Sequence, residues 1–286
     1  MTKEITRRPV DVLKGVLNAP SVQEQFQNAL GNHKDAFVAS VIDLYNGNAS
    51  LQACAPKMLV MEALKAATLA LPINRALGFS YIIPFNNSVK QPDGSWKKVP
   101  TPTFVIGYKG YIQLAMRTGQ YRIINADYVY EGELRKVNRL TGEIDFSGEK
   151  TSDKIAGYFC HIELINGFTK TLFMTVKEMA SYAKRYSPSV GYKTTAEQLE
   201  VIAQSDTVSK KVGWEGNFND MALKTVIRRL LSKYGYLSVE MQSAMTMESE
   251  ETIQPENNQK IELEADEVQY EEVVQEETEQ EEDLPY

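Results

Sequence analysis

The stretch FVIGYKGYIQLAMRTGQYRIINADYVY, Phe104–Tyr130, changes its period twice. It opens on the end of a short apolar run, PTFVIG, which reads as a strand. YKGYIQLAMRT then reads as a helix closed by Gly119. YRIINADYVYEGE returns to β-branched and aromatic residues and reads as a strand again. A helix set inside a run of strands argues for an α+β meander rather than a wound parallel sheet.

The neighbouring segments extend that pattern in both directions. Upstream, GFSYIIPF and PTFVIG flank a polar stretch containing QPDGSWKK, and the Asp93-Gly94 turn signal makes the pair a long, basic hairpin. Before it, the first 72 residues read as helices. DVLKGVLNAP stops at Pro20, and SVQEQFQNAL carries Ser21 and Glu24 at capping-box spacing. HKDAFVASVIDLYNGN puts Phe37, Val41, Leu44 and Tyr45 on one face, and APKMLVMEALKAATLAL runs apolar nearly all round from Pro56 to Pro72. Downstream, GYFCHIELI and FTKTLFMT read as strands joined by an Asn166-Gly167 turn. VKEMASYAKRYS reads as a helix, 187–216 as a polar, loop-rich stretch, and FNDMALKTVIRRLLSKYG as the last helix. The expected fold class is α+β: N-terminal helices, an antiparallel β meander and hairpins with packed helices, and a disordered acidic C-terminal tail.

Charge divides the chain. Over 286 residues the formal net charge is -7, yet 247–286 holds 16 acidic residues and a single basic one, Lys260. Residues 1–246 therefore carry 30 basic against 22 acidic side chains, a net +8. That asymmetry predicts a basic binding body, 1–246, and an acidic, partner-binding tail, 247–286, too poor in apolar residues to fold alone. No apolar run is long enough to span a membrane, and MTKEITRRPVDVLKG lacks the apolar segment of a signal peptide. Cys54 and Cys160 fit neither a metal spacing nor a disulfide framework. These features predict a cytoplasmic protein.

The motifs exclude more than they include. There is no P-loop and no G-x-G-x-x-G opening a helix after a strand, so no nucleotide or other cofactor is expected. His33 and His161 are the only histidines, too few and too isolated for the common zinc hydrolase motifs. Asp127, Glu131 and Glu133 are the one acidic group that a Mg²⁺-dependent nuclease could use. Their loose spacing along a strand with Tyr128 and Tyr130 reads better as a solvated face, so the chain is expected not to be an enzyme.

The positive signal is basic and aromatic. Lys109, Gln113 and Arg117 recur every four residues and share a helical face, with Arg122 just beyond. Lys224, Arg228, Arg229 and Lys233 fall outside the apolar stripe of the last helix. Arg135, Lys136 and Arg139 form a further cluster, Lys90, Lys97 and Lys98 another, and Lys210 with Lys211 another. Together they suggest an extended phosphate-binding track, with Trp96, Tyr108 and Tyr111 as candidate base-stacking or wedge residues.

LGFSYIIPF, FVIGYKGYIQLAMRTGQYRIINA, VYEGELRKVNRLTGEI, ELINGFTKTLF and NDMALKTVIRRLLSKYG, in that order over roughly 10–245, resemble the RecT branch of the RecT/Redβ phage single-strand annealing proteins. The resemblance implies an annealing core of that type. It further implies an ATP-independent protein that coats single-stranded DNA and anneals it to a complementary strand, as a ring or helical filament. The partners it implies are single-stranded DNA and the annealing duplex intermediate, further copies of the chain, the host single-stranded DNA-binding protein and a RecE-type 5′-to-3′ exonuclease. Carried across, the backbone contacts are Lys109, Gln113, Arg117, Arg122, Lys224, Arg228, Arg229 and Lys233, then Arg135, Lys136 and Arg139, then Lys210 and Lys211. A passive single-strand protector and the nuclease stand as alternatives. The hairpin segment Lys90–Pro102 and the tail depart from the family pattern. The last residues, EEDLPY, are similar to the acidic tip of bacterial single-stranded DNA-binding proteins. That likeness makes Asp283, Leu284, Pro285 and Tyr286 a candidate partner-binding tip.

Overall fold

The computed structural model describes residues 8–90, 94–138, 140–187, 189–205 and 211–252, with backbone alone at 88–90 and 248–252. The chain opens with helices α1 (Pro9–Leu17), α2 (Pro20–Leu30), α3 (Lys34–Asn46), α4 (Ala49–Gln52) and α5 (Pro56–Thr68). α1, α2 and α5 each begin on proline, whose fixed φ and missing N–H suit the first helical position. This corrects two expectations. Pro20 starts a helix rather than stopping one, and Ser21 then lies inside the first turn, so the N-cap is Ala19 and no capping box forms. α5 ends at Thr68, before Pro72, and Ala70 beyond it takes a φ of 47°. Its Leu59, Val60, Ala63, Ala66 and Ala67 are buried, while Met58 and Met61 reach solvent.

Strands β1 (Ser80–Lys90) and β2 (Trp96–Ile106) pair antiparallel from Ser80↔Ile106 to Lys90↔Trp96, an arm of about 35 Å. Its root is in the core through Ile82, Phe104 and Ile106. Glu62 of α5 accepts a 2.8 Å hydrogen bond from the Phe104 N–H and pins the root. The far end is exposed at Trp96, Lys97 and Lys98.

Helix α6 (Tyr108–Arg117) follows directly, then β3 (Tyr121–Tyr130), a small hairpin of β4 (Lys136–Val137) and β5 (Ile144–Asp145), β6 (Ile155–Leu164) and β7 (Thr169–Thr175). β3, β6 and β7 form an antiparallel sheet in the order β3-β6-β7. Along β6 the pleat buries Tyr158, Cys160 and Ile162 and leaves Phe159, His161 and Glu163 on the outer face. The expected β6–β7 turn is present, with Gly167 at φ 84°.

Helix α7 (Val176–Tyr186) starts on a true capping box, Thr175 with Glu178. The stretch 187–216 is not all loop: Thr195 and Gln198 form a second capping box that opens α8 (Ala196–Ala203). α9 (Phe218–Tyr234) packs Leu223, Val226, Ile227, Leu230 and Leu231 into the core, each burial contributing about 1.5–3 kcal/mol. α10 (Val239–Thr252) was not expected; the Ser238 hydroxyl accepts from the Met241 N–H, and Met241 and Ala244 are buried. The helix runs across the expected boundary at 246/247.

Candidate nucleic-acid interface

α6 and α9 lie side by side, and between them they carry Lys109, Arg117, Lys224, Arg228, Arg229 and Lys233. Gly107 and Gly110 set the start of α6. A Cβ on Gly107 would strike the Gly78 carbonyl oxygen, and one on Gly110 the Phe79 carbonyl oxygen. Only glycine permits that approach, which the Gly107 N–H fixes with a 2.9 Å bond to the Phe79 carbonyl. Lys109 is thereby laid along Gly78 and stays exposed, its ammonium 5.9 Å from the Tyr108 ring centre.

Asp220 lies in the first turn of α9. Partial burial raises its carboxyl above the ordinary value, and the nearby Lys109 charge partly offsets this. Tyr81, Tyr108 and Tyr128 each feel the Asp220 charge, and burial reinforced by the acid pushes the Tyr128 phenol up to about 12. These phenols are therefore neutral hydrogen-bond donors at physiological pH. Behind them the Tyr158 hydroxyl donates to Asn219 Oδ1 at 2.6 Å. Tyr81, Tyr128, Asn219 and Asp220 were not recognised in the sequence. Their only signal is spacing, which looks like ordinary strand alternation and an acid favourably placed at a helix start.

The predicted cations do not share one surface. Arg117 is exposed yet tied to the body: its two terminal nitrogens donate to the Leu69 and Ala70 carbonyls at 2.8 Å each. Arg122 pairs with Glu163 at 2.9 Å. On α9, Arg228 and Arg229 are one residue apart and so point about 100° apart. Arg228 is half-buried and donates to the Met245 carbonyl of α10 at 3.3 Å. Arg229 is exposed, its guanidinium 5.0 Å from the Tyr182 ring centre on α7. Lys224 shares the row of Asp220 and Arg228. Lys233 shares that of Arg229 and lies over Tyr234, with Lys170 of β7 over the same ring. Gln113 is half-buried on α6, and Arg135 and Lys136 are exposed at the small hairpin. Lys211 is bound to Glu215 at 2.6 Å, and with Thr194 and the Gly191 N–H it holds that carboxyl down to about 2.

Of the candidate stacking residues, Trp96 is 69% exposed and Tyr108 half-buried. Tyr111 is a correction: it is 0% exposed, a core residue that offers no face to a base. Arg139, Lys210, Asp283, Leu284, Pro285 and Tyr286 lie outside the described residues.

The three carboxylates that the sequence offers for a nuclease each accept a local hydrogen bond. Asp127 accepts from the Tyr128 N–H, Glu133 from the Tyr130 N–H and Glu131 from the Ser152 hydroxyl, all within 2.8 Å. Among the described residues no helix is long and apolar enough to cross a membrane.

The chain is similar to known proteins over most of its length. Protein YqaK of Bacillus subtilis (strain 168) is 40% identical over 239 residues, 83% of this chain and 72% of its own. Protein RecT of Escherichia coli (strain K12) is 29% identical over 245 residues, 84% of this chain and 81% of its own. The family model described as RecT family matches residues 35–282, and the chain belongs to the RecT family.

Proposed function

We propose that this chain coats single-stranded DNA and anneals complementary strands without nucleotide hydrolysis, as a ring or filament of identical subunits, and that it is a binding protein rather than an enzyme. Membership of the RecT family supports a recombination and annealing role in general terms. The observation that carries the finer reading is the set of exposed cations on two adjacent helices, Lys109 on α6 and Arg229 with Lys233 on α9, in a body whose net charge is positive.

Duplex formation runs downhill by about 1.4 kcal/mol per stacked step, so no nucleotide need drive it. The barrier lies in phosphate repulsion and in the structure each single strand makes with itself. Cations that hold the backbone screen the first. Backbone contacts leave base edges free to test a second strand. Repeating the contacts through an oligomer lengthens the track and multiplies affinity. Arg135 and Lys136 extend the track. Arg117, Arg122, Arg228 and Lys211, already engaged within the protein, serve it indirectly by holding the elements in place. The host single-stranded DNA-binding protein and a RecE-type exonuclease are the proposed protein partners, in the cytoplasm of a phage-infected or lysogenic bacterium, with the acidic tail as the segment that meets them.

The test mixes purified protein with two complementary labelled oligonucleotides, with and without Mg²⁺ and ATP. Fast duplex formation without ATP is expected. Fragments appearing only with Mg²⁺ would indicate a nuclease, and slowed pairing a passive protector.

A further inference from the structure

The β4–β5 hairpin lies across the outer face of the β3-β6-β7 sheet. Phe146, just after β5, packs its ring 5.1 Å from Phe159 and 5.8 Å from Phe173. At the hairpin tip the Thr141 carbonyl accepts from Lys170 Nζ at 3.4 Å. Between these two anchors the hairpin stands off the sheet and leaves a cleft of about 540 Å³. Ile123, Phe146 and Phe159 supply apolar walls, and Asn125, His161 and Thr171 a polar floor. The floor is one register row across the sheet, Asn125↔His161↔Thr171.

We propose that this cleft is a nucleobase pocket that receives one unstacked base of the bound single strand. The inference rests on the single-strand reading above and deepens it. The volume falls within the roughly 300–1,000 Å³ of small-molecule sites. The walls suit a flat apolar ring, and the floor suits its polar edge. His161 Nδ1 meets the Thr171 hydroxyl at 2.8 Å. That hydroxyl either donates or accepts, so the imidazole adopts either tautomer and presents Nε2 as acceptor or donor. The Asn125 carboxamide carries both functions as well. Among the described residues, neither Nε2 nor that carboxamide has a hydrogen-bond partner. A floor of such groups satisfies the edge of any base without choosing one, as a strand-pairing protein requires.

The charges around the cleft favour a base over a phosphate. Lys170 and Glu143 both line it, Lys136 is paired in register with Asp145 on the hairpin that covers it, and Arg122 is already paired with Glu163. A neutral ring enters such a mixed field at little cost, whereas a phosphate inside it meets carboxylates. One base seated per subunit would fix the register of the strand while its neighbours stay open to pairing.

The test follows the His161 imidazole by NMR in the full chain, with oligo(dT) and with an abasic oligonucleotide of equal length, total binding being measured by anisotropy. Oligo(dT) is expected to shift the His161 resonances, the abasic strand to bind without doing so, and free thymidine at millimolar concentration to give the same shift as oligo(dT). Ile123→Trp, which plugs the mouth from an exposed position, should abolish the shift and lower the ratio of oligo(dT) to abasic affinity several-fold. Oligo(dT) binding with His161 unmoved would overturn the pocket, as would equal shifts from both strands. If neither strand binds, the single-strand reading fails, and the thymidine titration alone decides the pocket: no shift there rejects it.

Discussion

α6 and α9 run side by side and carry the same kind of basic row, yet they place those cations oppositely. At the start of α6, Lys109 lies outward along Gly78. At its end, Arg117, though also exposed, satisfies two carbonyls just beyond α5. On α9 the division falls between neighbours: Arg228 is drawn to α10, while Arg229 lies over Tyr182 at the surface. A positive side chain can thus belong to the architecture or to the ligand. Arg117 and Arg228 each donate to main-chain carbonyls of another segment, whereas Lys109 and Arg229 lie along a backbone or a ring at the surface. The Leu69 and Ala70 carbonyls just past the end of α5 are such acceptors, and arginine, with its fixed fork of donors, is drawn to them.

Exchanging Arg117 for Ala should therefore show the largest effect on folding, a loss of about 2 kcal/mol read by urea denaturation. The salt dependence of single-strand binding should stay as it was. Lys109→Ala should do the reverse: stability within about 0.5 kcal/mol of the parent, and a log-log salt slope shallower by about 0.7, the share of one phosphate contact. Exchanged outcomes would break the division between the two ends of α6.

Lys211 provides a pH-dependent version of the same contrast. Its partner Glu215 is held at about 2 when folded against an ordinary 4.5. A depressed carboxyl stabilises in full above about pH 4.5, and that contribution is lost as pH falls through about 2. Because Lys211 is two-thirds exposed, the effect should be about 1–2 kcal/mol. Hydrogen exchange near Gly191 and Thr194 should quicken over that window, and Glu215→Gln should make it nearly independent of pH there.

Arg228→Ala should cost about 1–1.5 kcal/mol, and Arg229→Ala about 0.5–1 kcal/mol, the worth of an exposed cation–π contact. Only Arg229→Ala should flatten the salt slope. Trp96→Ala should change stability least, by under about 0.5 kcal/mol, since most of its ring already faces water.

How much of this was legible depends on whether the cause was local. The α6 segment, the β6–β7 turn and the apolar stripe of α9 rest on short-range periodicity, and each appears where its pattern places it. Ser21 and Glu24 had the spacing of a capping box, but Pro20 starts its helix one residue too early. Thr195 and Gln198, with the same spacing inside a polar stretch, do form one. The split between Arg228 and Arg229 could not be read. It depends on α10, whose Ser238 cap and buried Met241 and Ala244 sit just ahead of the acidic run. Tyr111 illustrates the same limit, because an aromatic beside lysines looks alike in sequence whether it faces solvent or the core.

At Ile155 the sheet is finished by a side chain. Gln204, just past α8, accepts from the Ile155 N–H at 2.9 Å and donates to its carbonyl at 2.8 Å, the bonds a neighbouring peptide unit would make. A neighbouring strand cannot be removed by one substitution, whereas this imitation of one can. Glutamate at position 204 would keep the acceptor but set oxygen against oxygen where the donor now lies. A methionine would leave both backbone groups bare. The corner where β6 begins is thus closed by a single codon, and an exposed strand terminus able to pair with another chain lies one mutation away.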